Sequence, residues 1–591
     1  MANVMGSGNT SVFRLKRWLG LNEAPDGDTG LKMGEAAVMR NFRITREHNL
    51  QLRPGYASVC TLADGAPVRG LWHGYVNGEE HLLAACGGRL WDVDTETWAC
   101  ADLGAIDDAP THFFGFARKV YLLTGSEYYV WDGSAPVAAV DGYAPVVVTA
   151  APPTGGGALL ERVNLLTGKR RARYSPDGEA KQFQLPETDI SEVLDVDGTD
   201  IKWTADLAKG TVTFASAPPK GVNTLTFTYR KGVGERERIV KMRLSEFYNG
   251  AADTRVFLYG DGTNRAVYSD LDENGVPSAA YFPDGNEMAV DSANTPITAM
   301  IRHYDRLVVF KTDGAYSTDY SPVTLEDGTV TAAFYTVPVN REIGNAAPGQ
   351  VRLVRNAPLS LHGRAVYEWS LANSGTRDER NAKRISDRVE ATLGGFDLKR
   401  CTTFDDEHQQ EFYILCHDRA VIYNYGADAW YCYTDFPACC MQAIHGDVFF
   451  GTPDGRLMHL SRAYHSNDGQ PIDALWESGA MDFDADWKRK YSAAVWVALK
   501  PEGQGRITVT AQSDRKSDHG ETEIGCGLST LVNADFAHWS FGTNRKPQIR
   551  RVRLKVKKFT FYKLVFKSRS ASATATVLGV DMPIRTAGNV T

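Results

Sequence analysis

The segment 549–569 contains many Lys and Arg residues and no Asp or Glu, although the 591-residue chain has a formal net charge of −7. Basic and apolar residues alternate in it, in the order Arg551, Val552, Arg553, Leu554, Lys555, Val556 and Lys557. A two-residue period puts successive side chains on opposite faces of a β-strand, so this pattern predicts one basic and one apolar face. A basic face can bind phosphate groups or carboxylates, and a solvated face without a partner is the alternative.

An acidic segment has a similar period. Asp482, Asp484 and Asp486 alternate with other residues over 481–487. The pattern predicts an acidic strand face, complementary in charge to the basic one. Either this face of a neighbouring subunit or a polyanion is therefore a candidate partner for the basic residues.

Sequence signals for catalysis and for metal binding are few. Asp405, Asp406 and Glu407 form a carboxylate cluster of the type that propeller glycosidases use, but adjacent acidic residues in a polar hairpin turn are usually only solvated. Residues 270–275 match the start of a calcium loop, yet Tyr281 stands where the bidentate Glu is needed. The sequence has no G-x-S-x-G, H-E-x-x-H or Walker A motif. We therefore predict no catalytic residue, no bound metal and no cofactor.

Composition predicts a mostly β protein of several domains. The chain has 55 Gly, 25 Pro and 10% aromatic residues, and its length allows about four domains. Nine Cys residues form an odd set without a C-x-x-C pair, which argues against a disulfide framework and a zinc site. The first residues lack the apolar core of a signal peptide, and no long apolar run follows, so we expect a soluble chain made in a cytoplasm.

A hairpin pattern recurs along the chain. Each copy has an apolar strand, a turn with Gly or Asp, and a strand rich in aromatic residues. The clearest copies are 68–98, 111–134, 296–318, 411–433 and 443–460. Repeated hairpins stacked around an axis form a β-propeller, which is the predicted architecture; unrelated meanders in β-sandwiches are the alternative.

The hairpins are interrupted by a different pattern. A Pro- and Gly-rich linker at 144–160 precedes alternating strands at 193–230, which predicts a small inserted β-domain. A charged surface helix or loop is predicted over 377–393. The predicted divisions are an N-terminal arm with the first strands (1–60), first propeller blades (61–150), the inserted domain (151–250), the remaining blades (251–470) and a C-terminal β-sandwich-like domain with basic strands (471–591).

Several segments resemble tail nozzle or packaged-DNA stabilisation proteins of short-tailed bacteriophages. The segment ending in "LRPGY" (20–56) resembles their N-terminal arm. "DTRVFLYGDGTNRAVYSD" (253–270) resembles part of their propeller core, and "WESGAMDFDADWKRK" (476–490) resembles a later landmark. The likeness lies in layout and short motifs and covers about two thirds of the chain.

The resemblance implies a non-enzymatic virion protein, assembled in the host cytoplasm, that forms a ring in the tail. The ring would be a cyclic homo-oligomer of six subunits, in contact with other neck and tail proteins such as an adaptor. It would retain packaged double-stranded DNA and conduct it during ejection through transient, non-specific contacts. Contact with the host envelope is compatible with this role, and membrane insertion is not expected. Arg551, Arg553, Lys555 and Lys557 would then face the DNA channel or a neighbouring subunit.

Two other functions remain open at this stage. One is a propeller adhesin or receptor-binding tail protein that holds host-surface glycan on Trp91, Trp98 and Trp131. The other is a propeller hydrolase, which the absence of catalytic motifs disfavours.

Overall fold

The computed structural model describes residues 3–4, 10–25, 27–324, 330–370, 381–503, 505–527 and 546–590. Nearly all regular elements in these ranges are β-strands. Helical elements there are short: the α-helices Glu237–Val240 and Glu390–Gly394, and the 3-10 turns Asp28–Gly30, Asp387–Val389 and Leu398–Arg400. The prediction of a mainly β protein is therefore confirmed.

The chain divides into two compact units. One contains Met1–Leu71, Leu359–Trp369 and Lys383–Thr591, and the other contains Trp72–Pro358 and Ser370–Ala382. The divisions near Leu71 and Pro358 fall inside the strands Val68–Val76 and Ala357–His362.

Seven sets of four hydrogen-bonded strands follow one another along the sequence, and we call them the meander sheets; six are separate sheets and the sixth in order is part of a ten-stranded sheet. The first has the strands Val68–Val76, Glu79–Cys86, Arg89–Val93 and Cys100–Ala105. The second has His112–Phe116, Lys119–Leu123, Tyr128–Trp131 and Ala138–Ala139. The third has Leu244–Asn249, Ala252–Tyr259, Arg265–Tyr268 and Glu287–Ala289. The next two have Ile297–His303, Arg306–Lys311, Ala315–Thr324 and Val330–Asn340; Arg352–Val354, Ala357–His362, Ala365–Trp369 and Ala382–Arg384.

The sixth and seventh meander sheets both lie in the first unit. Their strands are Thr402–Asp406, Glu411–Cys416, Arg419–Asn424 and Ala429–Thr434; Cys440–Ile444, Asp447–Gly451, Arg456–Ser461 and Gly55–Thr61. The last of these sheets thus takes its fourth strand from a much earlier part of the chain. Gly55–Thr61 pairs antiparallel with Arg456–Ser461, with Ala57 opposite His459.

Two further sheets belong to the second unit, and their strands lie between the second and third meander sheets in the sequence. Their strands are Val146–Ala151, Ala158–Leu159, Lys169–Tyr174, Glu192–Asp197 and Leu225–Arg230; Gln182–Gln184, Trp203–Asp206 and Thr211–Phe214. They enclose a core of their own that includes the buried rings of Phe183, Phe214 and Phe227. The side chain of Glu273, from the third meander sheet's loop, forms ion pairs with Arg171 at 3.1 Å and with Arg173 at 2.7 Å. The division of the chain into five predicted segments stays a prediction.

The first unit also contains a nine-stranded and a ten-stranded sheet. The nine-stranded sheet has Asn3–Val4, Thr10–Leu15, Phe42–Ile44, Leu50–Leu52, Lys488–Ser492, Val495–Leu499, Gln548–Val552, Val556–Phe559 and Thr576–Asn589. The ten-stranded sheet joins the sixth meander sheet to Gly20–Leu21, Glu35–Arg40, Ile472–Ser478, Gly505–Ser513, Thr522–Cys526 and Tyr562–Ser570. The buried Trp18 ring lies 4.7 Å from the Trp476 ring and 5.8 Å from the Phe566 ring, so residues from distant parts of the sequence share one core.

The charged segment predicted over 377–393 is a helix only at its end. Ala382–Arg384 is instead a strand of the fifth meander sheet, and only Glu390–Gly394 is α-helical. The Ile385 amide donates to the Val366 carbonyl, so pairing with a neighbouring strand outweighs local helix propensity here. Residues 377–380 lie outside the described part of the chain.

Candidate functional site

The basic segment is divided between two strands rather than forming one. Gln548–Val552 pairs with Val495–Leu499, and Val556–Phe559 pairs with Lys488–Ser492. Lys555, between them, has a φ of 48° in the left-handed region, so an extended strand cannot continue through it. The expectation that Arg551, Arg553, Lys555 and Lys557 share one uninterrupted strand is therefore wrong.

The alternation of burial nevertheless continues across the break. Val552, Leu554 and Val556 are 0%, 2% and 0% exposed, whereas the four basic residues between and beside them are all exposed. An apolar side chain that is withdrawn from water stabilises the fold by about 1.5–3 kcal/mol, which is sufficient to fix this orientation on both sides of the break. The basic side chains therefore face solvent together.

Cross-strand pairing extends this surface across the nine-stranded sheet. Arg551 lies opposite Trp496, and its guanidinium carbon is 5.5 Å from the centre of the Trp496 ring. Trp496 in turn lies opposite Asp581 in Thr576–Asn589. Arg14 lies opposite Asp581 on the other side, with Arg14 Nε 3.6 Å from Asp581 Oδ1.

A second row runs parallel to the first. Lys557 lies opposite Tyr491, Tyr491 lies opposite Arg585, and Arg585 lies opposite Thr10. Opposed residues in a sheet project from the same face. We call the surface formed by the two rows and the residues between them the basic face: Thr10, Val12, Arg14, Tyr491, Trp496, Arg551, Lys557, Asp581, Pro583 and Arg585.

The basic face has an unbalanced charge. Among its ten residues, Asp581 is the only carboxylate and four are cations. Within the part of the chain that the structure describes, no carboxylate lies within 4 Å of the side-chain nitrogens of Arg551, Arg553, Lys555 or Lys557. Their charges are thus available to an external anion, and the neighbouring aromatic side chains provide flat apolar surface beside them.

Sequence reasoning found Arg551 and Lys557 but missed Arg14, Arg585 and Trp496. The last three lie on strands that are distant in sequence from the basic segment, and only sheet pairing brings them together. Short-range periodicity carries no information about such pairing.

The predicted acidic strand over 481–487 is a pair of turns. Phe483 and Asp484 have φ values of 54° and 60°, and the Asp482 side chain accepts from the Asp484 amide at 3.0 Å. Beside these turns, the buried Lys490 ammonium donates to the carbonyls of Ala485, Lys488 and Thr560 at 2.6, 3.0 and 2.9 Å. Burial lowers the pKa of Lys490, and nearby acidic residues such as Asp482 oppose that shift. The acidic residues therefore do not form a strand face.

Two of the carboxylates of 404–412, Asp406 and Glu411, lie in a buried network, whereas Asp405 is half-buried and Glu407 is exposed. Asp406 is 4% exposed, and burial raises its pKa. Glu411, 1% exposed at its side chain, forms an ion pair with Arg43 at 2.6 Å and accepts from the hydroxyls of Tyr413 at 2.7 Å and Tyr431 at 2.6 Å. This network was not predicted, because Arg43 is distant in sequence. Both Glu411 oxygens are engaged by protein groups, so the network explains fold stability rather than binding.

The predicted start of a calcium loop is also occupied by protein donors. Asp270 Oδ1 lies 2.7 Å from the Arg255 guanidinium, and Asp270 Oδ2 accepts from Asn286 at 3.0 Å. Asp272 Oδ1 accepts from the amides of Asn274 and Val276, both at 2.9 Å. These contacts describe an ordinary turn stabilised by aspartate.

The aromatic residues considered for glycan binding differ in accessibility. Trp131 is 3% exposed and lies edge-on to His81 at 4.8 Å. Trp91 is half-buried and its indole nitrogen donates to the Cys86 carbonyl at 3.1 Å, and Trp98 is also half-buried. Trp131 therefore cannot contact a glycan without rearrangement of its surroundings.

No protein-family model and no curated protein matches this sequence. Among solved structures, it has low similarity to the computationally designed Ika8 protein, with a TM-score of 0.33 and 10% identity over 68% of this chain and 99% of that one. For a chain of the mitotic checkpoint complex, the TM-score is 0.31 and the identity is 7%, over 68% of this chain and 92% of that one. For an exo-beta-1,3-galactanase from Phanerochaete chrysosporium, the TM-score is 0.18 and the identity is 10%, over 81% of this chain and 96% of that one. Similarities at this level support no argument about function.

No helix in the described ranges is both long and apolar enough to cross a membrane.

Proposed function

We propose that this chain is a structural protein of a short-tailed bacteriophage tail, which forms a ring that retains and conducts DNA. The observation that carries the proposal is the basic face, where four cations and one carboxylate lie on a single sheet surface. Cations held on a sheet can contact phosphates without reading bases, which is what a DNA conduit requires. The resemblance of segments such as 20–56 to tail nozzle proteins supplies the context.

We also propose that the seven meander sheets are the blades of one β-propeller, with a β-sandwich formed by the later strands. Each meander sheet is a set of four antiparallel strands, which is the repeating unit of a propeller. Gly55–Thr61, which precedes the first sheet, completes the last one beside Arg456–Ser461. Such an exchange is how a propeller joins its first and last blades.

The ring is tested by native mass spectrometry and electron microscopy of the purified full chain. We expect a closed cyclic assembly, six subunits in number, with a central hole, because repeating one heterologous interface closes a ring. A trimer without a central hole would contradict the ring and favour the receptor-binding alternative.

The DNA contact is tested by replacing Arg551, Arg553, Lys555 and Lys557 together with Gln. Each phosphate that a cation neutralises adds about 0.9 to the slope of log affinity against log salt. If each residue contacts one phosphate, the slope should fall by about 3.6. The fold should be retained, because Val552, Leu554 and Val556 keep their buried positions.

The matched control removes the same charge from a different surface. Four exposed lysines of the 146–230 sheets are replaced with Gln: Lys181, Lys202, Lys209 and Lys220. This control should leave the salt slope unchanged. If the first variant instead impairs ring assembly and binds DNA normally, the basic residues contact a neighbouring subunit. If both variants behave like the wild type, Arg551, Arg553, Lys555 and Lys557 are only solvated and the proposal loses its main support.

A further inference from the structure

We propose that Asp581 weakens the binding of DNA at the basic face, so that DNA can move along the face while it is conducted. This inference rests on the proposed function, since it takes double-stranded DNA to be the polyanion at this surface. Its basis is the position of one carboxylate within a surface that is otherwise neutral or basic.

The carboxylate lies opposite Arg14 on one adjacent strand and opposite Trp496 on the other. Asp581 Oδ1 is 3.6 Å from Arg14 Nε, and both side chains are 46% exposed. A pair this exposed contributes little to stability, typically below about 1 kcal/mol, so the fold gives no strong reason for a carboxylate at this position. The carboxylate does, however, compete with phosphate for the Arg14 guanidinium.

Asp581 is also close to the other cations of the basic face. Arg551 is two strands away, which corresponds to about 10 Å. Arg585 is four residues along the same strand, which corresponds to about 13 Å. These distances are similar to the Debye length of about 10 Å at 0.1 M salt, so a phosphate bound at either cation experiences the carboxylate charge.

The expected effect of Asp581→Asn is tighter binding. A phosphate about 10 Å from the carboxylate is repelled enough in water and low salt to reduce affinity about twofold. Two such phosphates give about fourfold. Release of Arg14 to contact a further phosphate should add about 0.9 to the salt slope.

The experiment measures fluorescence anisotropy of a labelled DNA duplex of arbitrary sequence with the full chain, from low to physiological salt. The control is Asp473→Asn, which makes the same change of net charge. Asp473 Oδ2 accepts from Arg40 at 3.0 Å in a similarly exposed pair on the ten-stranded sheet. We expect Asp581→Asn to bind about fourfold more tightly at low salt, and Asp473→Asn to bind like the wild type.

Two further variants test the remainder of the face. Arg585→Gln should lower the salt slope by about 0.9 if the DNA contact spans both rows, and Arg14→Gln combined with Asp581→Asn should remove the slope that Asp581→Asn adds. Unchanged slopes would overturn the assignment of these residues to the DNA contact. Circular dichroism and native mass spectrometry confirm that each variant folds and assembles like the wild type.

The outcomes separate this inference from the proposed function. If the wild type binds the duplex and Asp581→Asn does not bind more tightly, the role of Asp581 is refuted and the proposed DNA contact stands. If the two Asp→Asn variants bind more tightly by the same factor, net charge alone is responsible and the inference is again refuted. If neither the wild type nor Asp581→Asn binds at low salt, the proposed DNA contact itself fails.

Discussion

Replacing Glu411 with Gln should destabilise the first unit by several kcal/mol. The Glu411 carboxylate balances the Arg43 guanidinium, and their side chains are 1% and 7% exposed. Burial lowers the pKa of Arg43, but Glu411 together with Tyr431, Tyr433 and Tyr413 raises it by more, so the net shift is upward and the charged guanidinium is favoured. In Glu411→Gln the buried cation loses its counter-charge.

The size of the effect follows from this burial. Removing one partner of a buried ion pair costs about 3–5 kcal/mol, because the remaining charge is neither solvated nor paired. Gln keeps an oxygen that can accept from Tyr413 or Tyr431, which places the expected loss near the lower end of that range. Replacing Arg43 with Met as well removes the unpaired charge, so the double variant should be more stable than Glu411→Gln alone.

The assay is urea unfolding followed by tryptophan fluorescence, with calorimetry as a second measurement. The control is Asp473→Asn, which breaks the exposed pair with Arg40 and should cost less than about 1 kcal/mol. If Glu411→Gln costs no more than this control, the network is not an important source of stability and the argument is refuted.

Two further predictions concern the second unit. Burial raises the pKa of Glu246 to about 7 from an ordinary 4.5. Its contribution to stability is therefore complete below pH 4.5 and is lost as the pH rises through 7. Glu246→Gln should remove this part of the pH dependence of the thermal unfolding midpoint. Glu273→Gln removes the ion pairs with Arg171 and Arg173, so amides of Lys169–Tyr174 should exchange hydrogen faster, while those of Arg265–Tyr268 keep the wild-type rate as an internal control.

The sequence predicted the orientation of the basic segment better than its path. Burial alternates over 551–557 as expected, because a two-residue period is a local property and apolar side chains select one face. The left-handed conformation of Lys555 could not be predicted, since nothing in the segment marks a non-glycine residue for that region. It arises where the partner strands Lys488–Ser492 and Val495–Leu499 also break.

The prediction of an acidic strand face over 481–487 was wrong for a different reason. Alternating Asp residues suit a strand face, but a short carboxylate also bonds to backbone amides two residues ahead and stabilises turns. Asp482 does this to the Asp484 amide, and Asp272 does the same to the Asn274 amide in the predicted calcium loop. Spacing alone did not distinguish a ligand set from a series of turns in either segment.

The arrangement of the basic face has a consequence for how DNA would be held. Its cations come from separate strands, with Arg14, Arg551 and Arg585 fixed in register by backbone pairing. Because the strands are already ordered, contact with phosphate does not require the backbone to be ordered on binding, and only the side chains lose freedom. Because only a few phosphates are contacted, the binding is weak and exchanges rapidly, and salt screens it easily. A carboxylate between those cations weakens the contact further, and both properties favour a surface along which DNA moves over one that holds it.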